Sequence, residues 1–344
     1  VYDVVLLTLG SERDAPGTCG SDGACCGDTN MANGDTDKSN DGPSTDRCET
    51  PRVPVLACAD ALTARGARVD LVTARSEREI DEVLCRLDGP PRPDGLGWPD
   101  PDFRTRLIVG TASDAQLRTV LRRLVRRYAP PPSRRPTDLP VNRTVPDLPP
   151  VGVLPLDPAR GRSQPRDLAA QLGLPRDPVA VAAAVLEGAP RRLDLLRNDA
   201  GSVTLDGALL GAADEGGQPL HWRGRVEVDD TLLSAGDDPL LACAIGNAGG
   251  YARLADVTLL AAPDPGDGLV EVAVAVPVLT SSRWGRRRVR LEVRRARGRA
   301  VAVVPREGAI PFLDDGAAGE LKRKRSWWTE PGAWAVWAPP TAHR

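Results

Sequence analysis

Aromatic residues are scarce in this 344-residue chain, at 3%, and it holds one Met, two Phe and three Tyr. Its core must therefore be packed largely by Ala, Val and Leu. Two His are present, His221 and His343, which leaves almost no material for His-based metal sites or triads. No run of about 20 apolar residues occurs, so no segment reads as a bilayer-spanning helix. The apolar start Val4–Leu7 is too short for the hydrophobic part of a secretory signal and has no basic stretch before it. The seven Cys (Cys19, Cys25, Cys26, Cys48, Cys58, Cys85 and Cys243) include no CxxC pair, and their odd number argues against a complete disulfide framework. Formal net charge is −2, so bulk charge names no partner. The expectation from these absences is a cytoplasmic protein.

What is present begins with an unbroken apolar run, Val4–Leu9, as expected of a strand buried on both faces. Gly10–Thr50 is rich in Gly, Asp, Ser, Thr and Asn and reads as a disordered insertion, at about residues 10–50. Its CGSDGACC tract could bind a soft metal or act as a redox clip, but matches no zinc spacing and equally suits a flexible tract that happens to carry Cys. Val55, Leu56, Ala59 and Leu62 then recur at helical spacing up to Gly66, a helix-ending glycine. Ala67–Thr73 reads as a strand, Ser76 as the cap of a helix through Leu87, and Leu107–Val109 as another strand. The spacing predicts a long helix over Asp114–Tyr128. Leu117, Val120, Leu121, Leu124, Val125 and Tyr128 form its apolar stripe, and five Arg fill the other side. Residues 129–150 are Pro-rich and read as a loop or linker. Val151–Leu156 is strand-like, and Leu168–Leu172 and Val179–Leu186 read as helices.

Beyond Arg191 the pattern becomes short strands divided by turns such as DDG and GDG. The fold class is thus an α/β nucleotide-binding domain, a parallel sheet with helices, followed by a C-terminal all-β sandwich. The expected boundaries are 1–190 for the first domain and 191–328 for the sandwich. Residues 329–340 would form a final strand returning to the first domain.

Four stretches, in order, resemble the diacylglycerol kinase and bacterial lipid kinase family. LIVGTASDAQLRTVLRRL (107–124) sits where the family has a strand, a GGDGT loop and a helix. VGVLPL (151–156), with RDLAAQLGLPRDPVAVAAAVLEGAPRRLDLL (166–196), is similar to the stretch that carries GTGND in the family. LACAIGNAGGYARLADVTLLAAPDPGDGLVEVAVA (241–275) resembles its glycine-rich and acidic turns, and FLDDGA (312–317) with PGAWAVWAP (331–339) its DGE triplet and closing strand. The resemblance spans about Val53 to Pro339 and implies the fold shared with NAD kinases, with the lipid cleft in the β-sandwich.

It also implies chemistry: transfer of the ATP γ-phosphate, with Mg²⁺, to a hydroxyl of a lipid such as a diacylglycerol. Phosphoryl transfer is mostly positioning and charge neutralisation. The loops that would do this are rewritten. GGDGT is here Ala112-Ser113-Asp114-Ala115-Gln116, so Ser113, Asp114 and Gln116 are the nucleotide candidates and Asp114 a metal candidate. Ser113 and Asp114 could instead simply cap the helix. The N-D pair of GTGND is replaced by Arg166 and Asp167 in a longer loop with Arg160 and Arg162. Those arginines could hold phosphate or be solvated. No counterpart of the family's N-terminal asparagine motif is found. The family's general-base Glu is Ala317; Asp314, Asp315 and Glu320 are the candidate replacements. Asp264 and Asp267, with Gly268, match an acidic turn that some family members use for a structural Mg²⁺, or form an ordinary Asp-Gly turn.

The C-terminal region carries Lys322-Arg323-Lys324-Arg325 beside Trp327-Trp328, with Trp334 and Trp337 following. Such clusters suit an anionic membrane surface, although Trp334 and Trp337 also fit the core of a last strand. For a lipid kinase relative the expectation is peripheral membrane association and no nucleic acid. The competing expectation is a degenerate relative that binds a lipid or a protein without catalysis.

Overall fold

The computed structural model describes residues 2–10, 52–157, 167–213, 217, 219–254, 256–281 and 287–339. The Cys-bearing insertion (residues 11–51) and the arginines Arg160, Arg162 and Arg166 lie outside the described residues.

Four strands open the larger sheet: β1 (Asp3–Leu9), β2 (Arg68–Ala74), β3 (Thr105–Thr111) and β4 (Val151–Pro155), paired in parallel in the order β2-β1-β3-β4. The helices are α1 (Val53–Ala64), α2 (Glu77–Leu84), α3 (Asp114–Tyr128), α4 (Leu168–Gln171) and α5 (Pro178–Glu187). The apolar run of β1 feeds both faces, because successive side chains of a strand alternate. Val4 and Leu6 pack with Val55, Leu62, Val181 and Val185 of α1 and α5. Val5 and Leu7 pack with Ile80, Leu84, Leu117 and Leu121 of α2 and α3. The stripe of α3 is buried as the spacing predicts. Its arginines face acids: Arg122 and Arg123 pair with Glu77, Arg123 also with Asp81, and Arg127 with Asp88. Three of its five arginines are therefore neutralised within the α/β part, and Arg126 is exposed.

The remaining strands are β5 (Ala189–Asn198), β6 (Val203–Thr204), β7 (Gly207–Leu210), β8 (Gly224–Val228), β9 (Thr231–Ala235), β10 (Ala242–Gly246), β11 (Arg253–Leu254), β12 (Val257–Thr258), β13 (Val270–Ser281), β14 (Arg287–Gly298), β15 (Ala300–Pro305), β16 (Ile310–Asp314), β17 (Ala317–Leu321) and β18 (Arg325–Ala338). β14-β13-β10-β7-β16-β17 form an antiparallel sheet. Facing it are β18, β15, β8 and β9, which continue the sheet that begins with the parallel strands. Between the two layers lie Leu210, Val226, Cys243, Ile245, Val272, Val274, Val301, Val303 and Trp327. The fold is thus an α/β layer joined edgewise to an all-β sandwich.

β18 links the two parts. Its first residues pair with β15 (Ala300 opposite Trp328) and its last with β4 (Val336 opposite Val151). β5 runs antiparallel along nearly all of it, with a register shift between Glu330 and Trp334. The Pro-rich segment 129–150 is docked rather than free. Leu139, Val145 and Leu148 are buried. The Leu148 amide donates to the Ala333 carbonyl at 2.8 Å, and the Thr144 amide to the buried Glu330 carboxylate at 2.6 Å.

A candidate phosphoryl-transfer site at the domain junction

α3 begins where β3 ends, on the carboxyl side of the parallel sheet, the usual ligand-binding end of such sheets. Ser113 is the N-cap residue in extended conformation, but its side chain makes no cap bond. Gln116 closes the turn instead: its Oε1 accepts the Ala112 amide at 2.8 Å. Asp114 Oδ2 accepts the Leu168 amide at 3.1 Å, which ties the start of α3 to the start of α4. Asp167 caps α4 through the Ala170 amide at 2.9 Å and pairs with Arg176 at 2.7 Å. The structure therefore brings Ser113, Asp114, Gln116 and Asp167 to one place. Beside Ser113, Asp114 and Asp167, lined also by Asp157, Leu168 and Leu172, is a crevice of about 20 Å³. That is room for about one water molecule, whereas ligand pockets run to ~300 Å³ or more.

One helical turn beyond Asp114, Arg118 reaches the second candidate region. Its Nη2 donates to Asp314 Oδ2 at 2.7 Å and to Ser202 Oγ at 2.9 Å, and its Nε to the Val203 carbonyl at 2.7 Å. Asp314 Oδ1 accepts the Thr204 hydroxyl at 2.7 Å. Asp315 follows with φ of +49°, an uncommon left-handed conformation for a non-glycine residue. Its carboxylate accepts the amides of Leu205 (2.8 Å), Asp206 (2.8 Å) and Gly207 (3.1 Å). Both residues are buried. Burial pushes both carboxyl groups up; Arg118 partly offsets this at Asp314, while the neighbouring Asp314 adds to it at Asp315.

Glu320 is not brought to this group. It lies three positions beyond Ala317 on β17, so the alternation of the strand places the two on opposite faces. It is exposed and pairs with Lys322 at 3.2 Å.

The acidic turn forms a separate region. Asp264 Oδ1 accepts the Gly266 amide at 3.0 Å, and Asp267 Oδ1 the Leu269 amide at 2.9 Å. The other Asp267 oxygen pairs with Arg297. Two carboxylates that the sequence reading passed over hold the surroundings together. Asp194 accepts the amides of Gly268 (2.6 Å) and Gly332 (2.7 Å), and Asp206 those of Gly250 (2.8 Å) and the Gln171 side chain (3.1 Å). A Cβ at Gly250 would strike the Asp206 carboxylate, which explains a glycine there. The available signal was an Asp inside an apolar run, LDLL for Asp194 and TLDGALL for Asp206.

Of the C-terminal Trp residues, Trp327, Trp334 and Trp337 are buried, and Trp328 is half-buried with its Nε1 donating to Glu330 at 2.9 Å. Lys322, Arg323 and Lys324 are exposed. No helix among the described residues is long and apolar enough to cross a membrane.

No family model matches the sequence, and no curated protein matches it. Solved structures do resemble the fold. A diacylglycerol kinase from Bacillus anthracis str. Sterne is similar at 10% identity and a TM-score of 0.53, over 98% of this chain and 97% of that one. A second structure from that strain, assigned to the diacylglycerol kinases, is similar at 10% identity and a TM-score of 0.56, with the same coverage. An NAD kinase from Archaeoglobus fulgidus in complex with ATP is similar at 11% identity and a TM-score of 0.46, over 97% of this chain and 93% of that one. Over its described residues the chain has the two-domain fold of these solved diacylglycerol kinase structures.

Proposed function

We propose that the chain is a phosphotransferase of the diacylglycerol kinase type, transferring the ATP γ-phosphate to a lipid hydroxyl at a membrane surface. The carrying observation is that Arg118 joins the helix that starts at Asp114 to the Asp314–Asp315 turn. The nucleotide-side and acceptor-side candidates are thereby bridged by a single side chain, whose backbone lies about one helical turn beyond Asp114.

Within this reading Ser113, Asp114, Gln116 and Asp167 face the nucleotide, together with Arg166, the residue before Asp167 in the sequence. Among the described residues no group of three or more Asp, Glu, His or Cys is placed to hold a metal ion. Mg²⁺ commonly binds through one or two carboxylates together with substrate phosphates and water. Asp114 suits that mode, and the ion would supply neutralisation of phosphate charge. Of the candidate bases, Asp314 is favoured. Its partners, Arg118 and Thr204, are side chains that can yield to a substrate hydroxyl. Asp315 is spent on three backbone amides, and Glu320 faces away.

The test is a calorimetric titration with Mg-ATP into the millimolar range, then a phosphotransfer screen over acylglycerols in vesicles. Binding and phosphorylated lipid are expected; absence of both heat and thermal stabilisation would overturn the proposal. One observation favours a second reading, a non-catalytic relative that binds a lipid or protein: the crevice beside Asp114 holds about 20 Å³. Failure of the titration, with retained binding to lipid vesicles, would establish it.

A further inference from the structure

The acidic turn that the family resemblance associates with a structural Mg²⁺ has a different source of positive charge here. We infer that Arg297 takes the place of a divalent cation at residues 264–268, so that this turn is held without metal. Three carboxylates gather there. Asp194 is buried, and its carboxyl is pushed up by burial and by the nearness of Asp267 and Asp264. A metal would be expected to gather the oxygens of such a group inward. Instead they are turned to hydrogen-bond donors. Both Asp194 oxygens take backbone amides, from Gly332 and Gly268, and Asp264 Oδ1 takes that of Gly266. Asp267 divides its oxygens between the Leu269 amide and the Arg297 guanidinium.

Five of the six carboxylate oxygens of Asp194, Asp264 and Asp267 already accept an N–H, and each such bond competes for a lone pair that a cation would use. A guanidinium supplies charge and donors together and stays charged at all working pH values. The donor set therefore fits Arg297 and not a metal.

The position gives the pairing a structural role. Asp194 sits on β5, Gly268 precedes β13, Arg297 is on β14, and Gly332 is in the irregular stretch of β18. The Asp194 amide donates to the Pro265 carbonyl at 2.6 Å, so the turn is stapled to β5 from both sides. Arg297 thus fastens the far edge of the antiparallel sheet to the corner where β5 and β18 meet.

Thermal unfolding of the full chain without nucleotide tests the inference. The melting temperature of the unaltered protein is expected to be the same in EDTA and in excess MgCl₂ or CaCl₂. Arg297→Gln should lower it by roughly 2–4 °C, and Arg297→Lys by less. Arg297→Gln combined with Asp267→Asn should recover part of the loss, because the second change removes the unpaired charge. A saturable rise with Mg²⁺ that Asp267→Asn abolishes would overturn the inference. So would an Arg297→Gln protein that melts with the unaltered one. If Arg297→Gln does not fold, the comparison of the unaltered protein with Asp267→Asn in EDTA and in MgCl₂ still decides the question.

Discussion

Arg118 and Asp314 stand 196 positions apart in the chain, and their side chains meet at 2.7 Å. The pair is largely buried, with side-chain exposures of 17% and 2%. Removing the cation would leave a buried carboxylate without its partner. Arg118→Met is therefore expected to destabilise the fold by about 3 kcal/mol at pH 7. The loss should be smaller at pH 5 than at pH 7, because burial raises the Asp314 carboxyl, and smaller again in the Asp314→Asn background. Urea unfolding of the single and double variants at both pH values measures this.

Asp194, Asp206, Asp314 and Asp315 all have carboxyl groups raised by burial. A raised folded-state pKa means that the folded chain holds protons the unfolded chain has released. Stability from these groups is complete below the ordinary carboxylate pKa, about 3.9, and is lost as pH rises through the folded values. Melting temperature should thus fall from weakly acidic toward neutral pH. Asp206→Asn should flatten that slope; an unchanged slope would exclude Asp206 as a contributor.

Asp114→Asn keeps an oxygen to accept the Leu168 amide, so apo stability should change little. If Asp114 faces bound Mg-ATP, loss of its charge should weaken binding roughly tenfold, about 1.4 kcal/mol. Calorimetry on both proteins decides the matter, and equal affinities would remove Asp114 from the nucleotide site.

The exposed Lys322, Arg323 and Lys324 predict co-sedimentation with anionic vesicles and not with neutral ones, weakening at high salt. Because Trp327, Trp334 and Trp337 are buried, vesicle binding should leave their fluorescence unshifted. A blue shift would indicate aromatic insertion instead.

The fold was legible where the chain's pattern is local. VVLLTL announced a strand buried on both faces, and the stripe of α3 emerged with its register intact. What escaped was long-range. Nothing in the local pattern of β15, β8 and β9 shows that they continue the sheet of β1, since strand patterning reports a buried face and not a neighbour. The candidate site followed the same division. Asp114, Asp314 and Asp315 were proposed from flanking motifs, but the Arg that connects them lay unremarked among five on one helix. Arg118 differs from Arg122 and Arg127 solely in what the fold sets opposite it.

The antiparallel pair β5 and β18 has one more consequence. Enzymes of two lobes often close on their substrates by swivelling about a loose connection. Here the crossing is a two-stranded ribbon, its regularity broken at Pro331–Ala333 between Glu330 and Trp334. A ribbon resists free rotation, and this one is pinned at its irregular step, where Gly332 donates to Asp194 and the Ala333 carbonyl accepts the Leu148 amide. The crossing therefore holds the two parts in a fixed relation and leaves no free hinge between them.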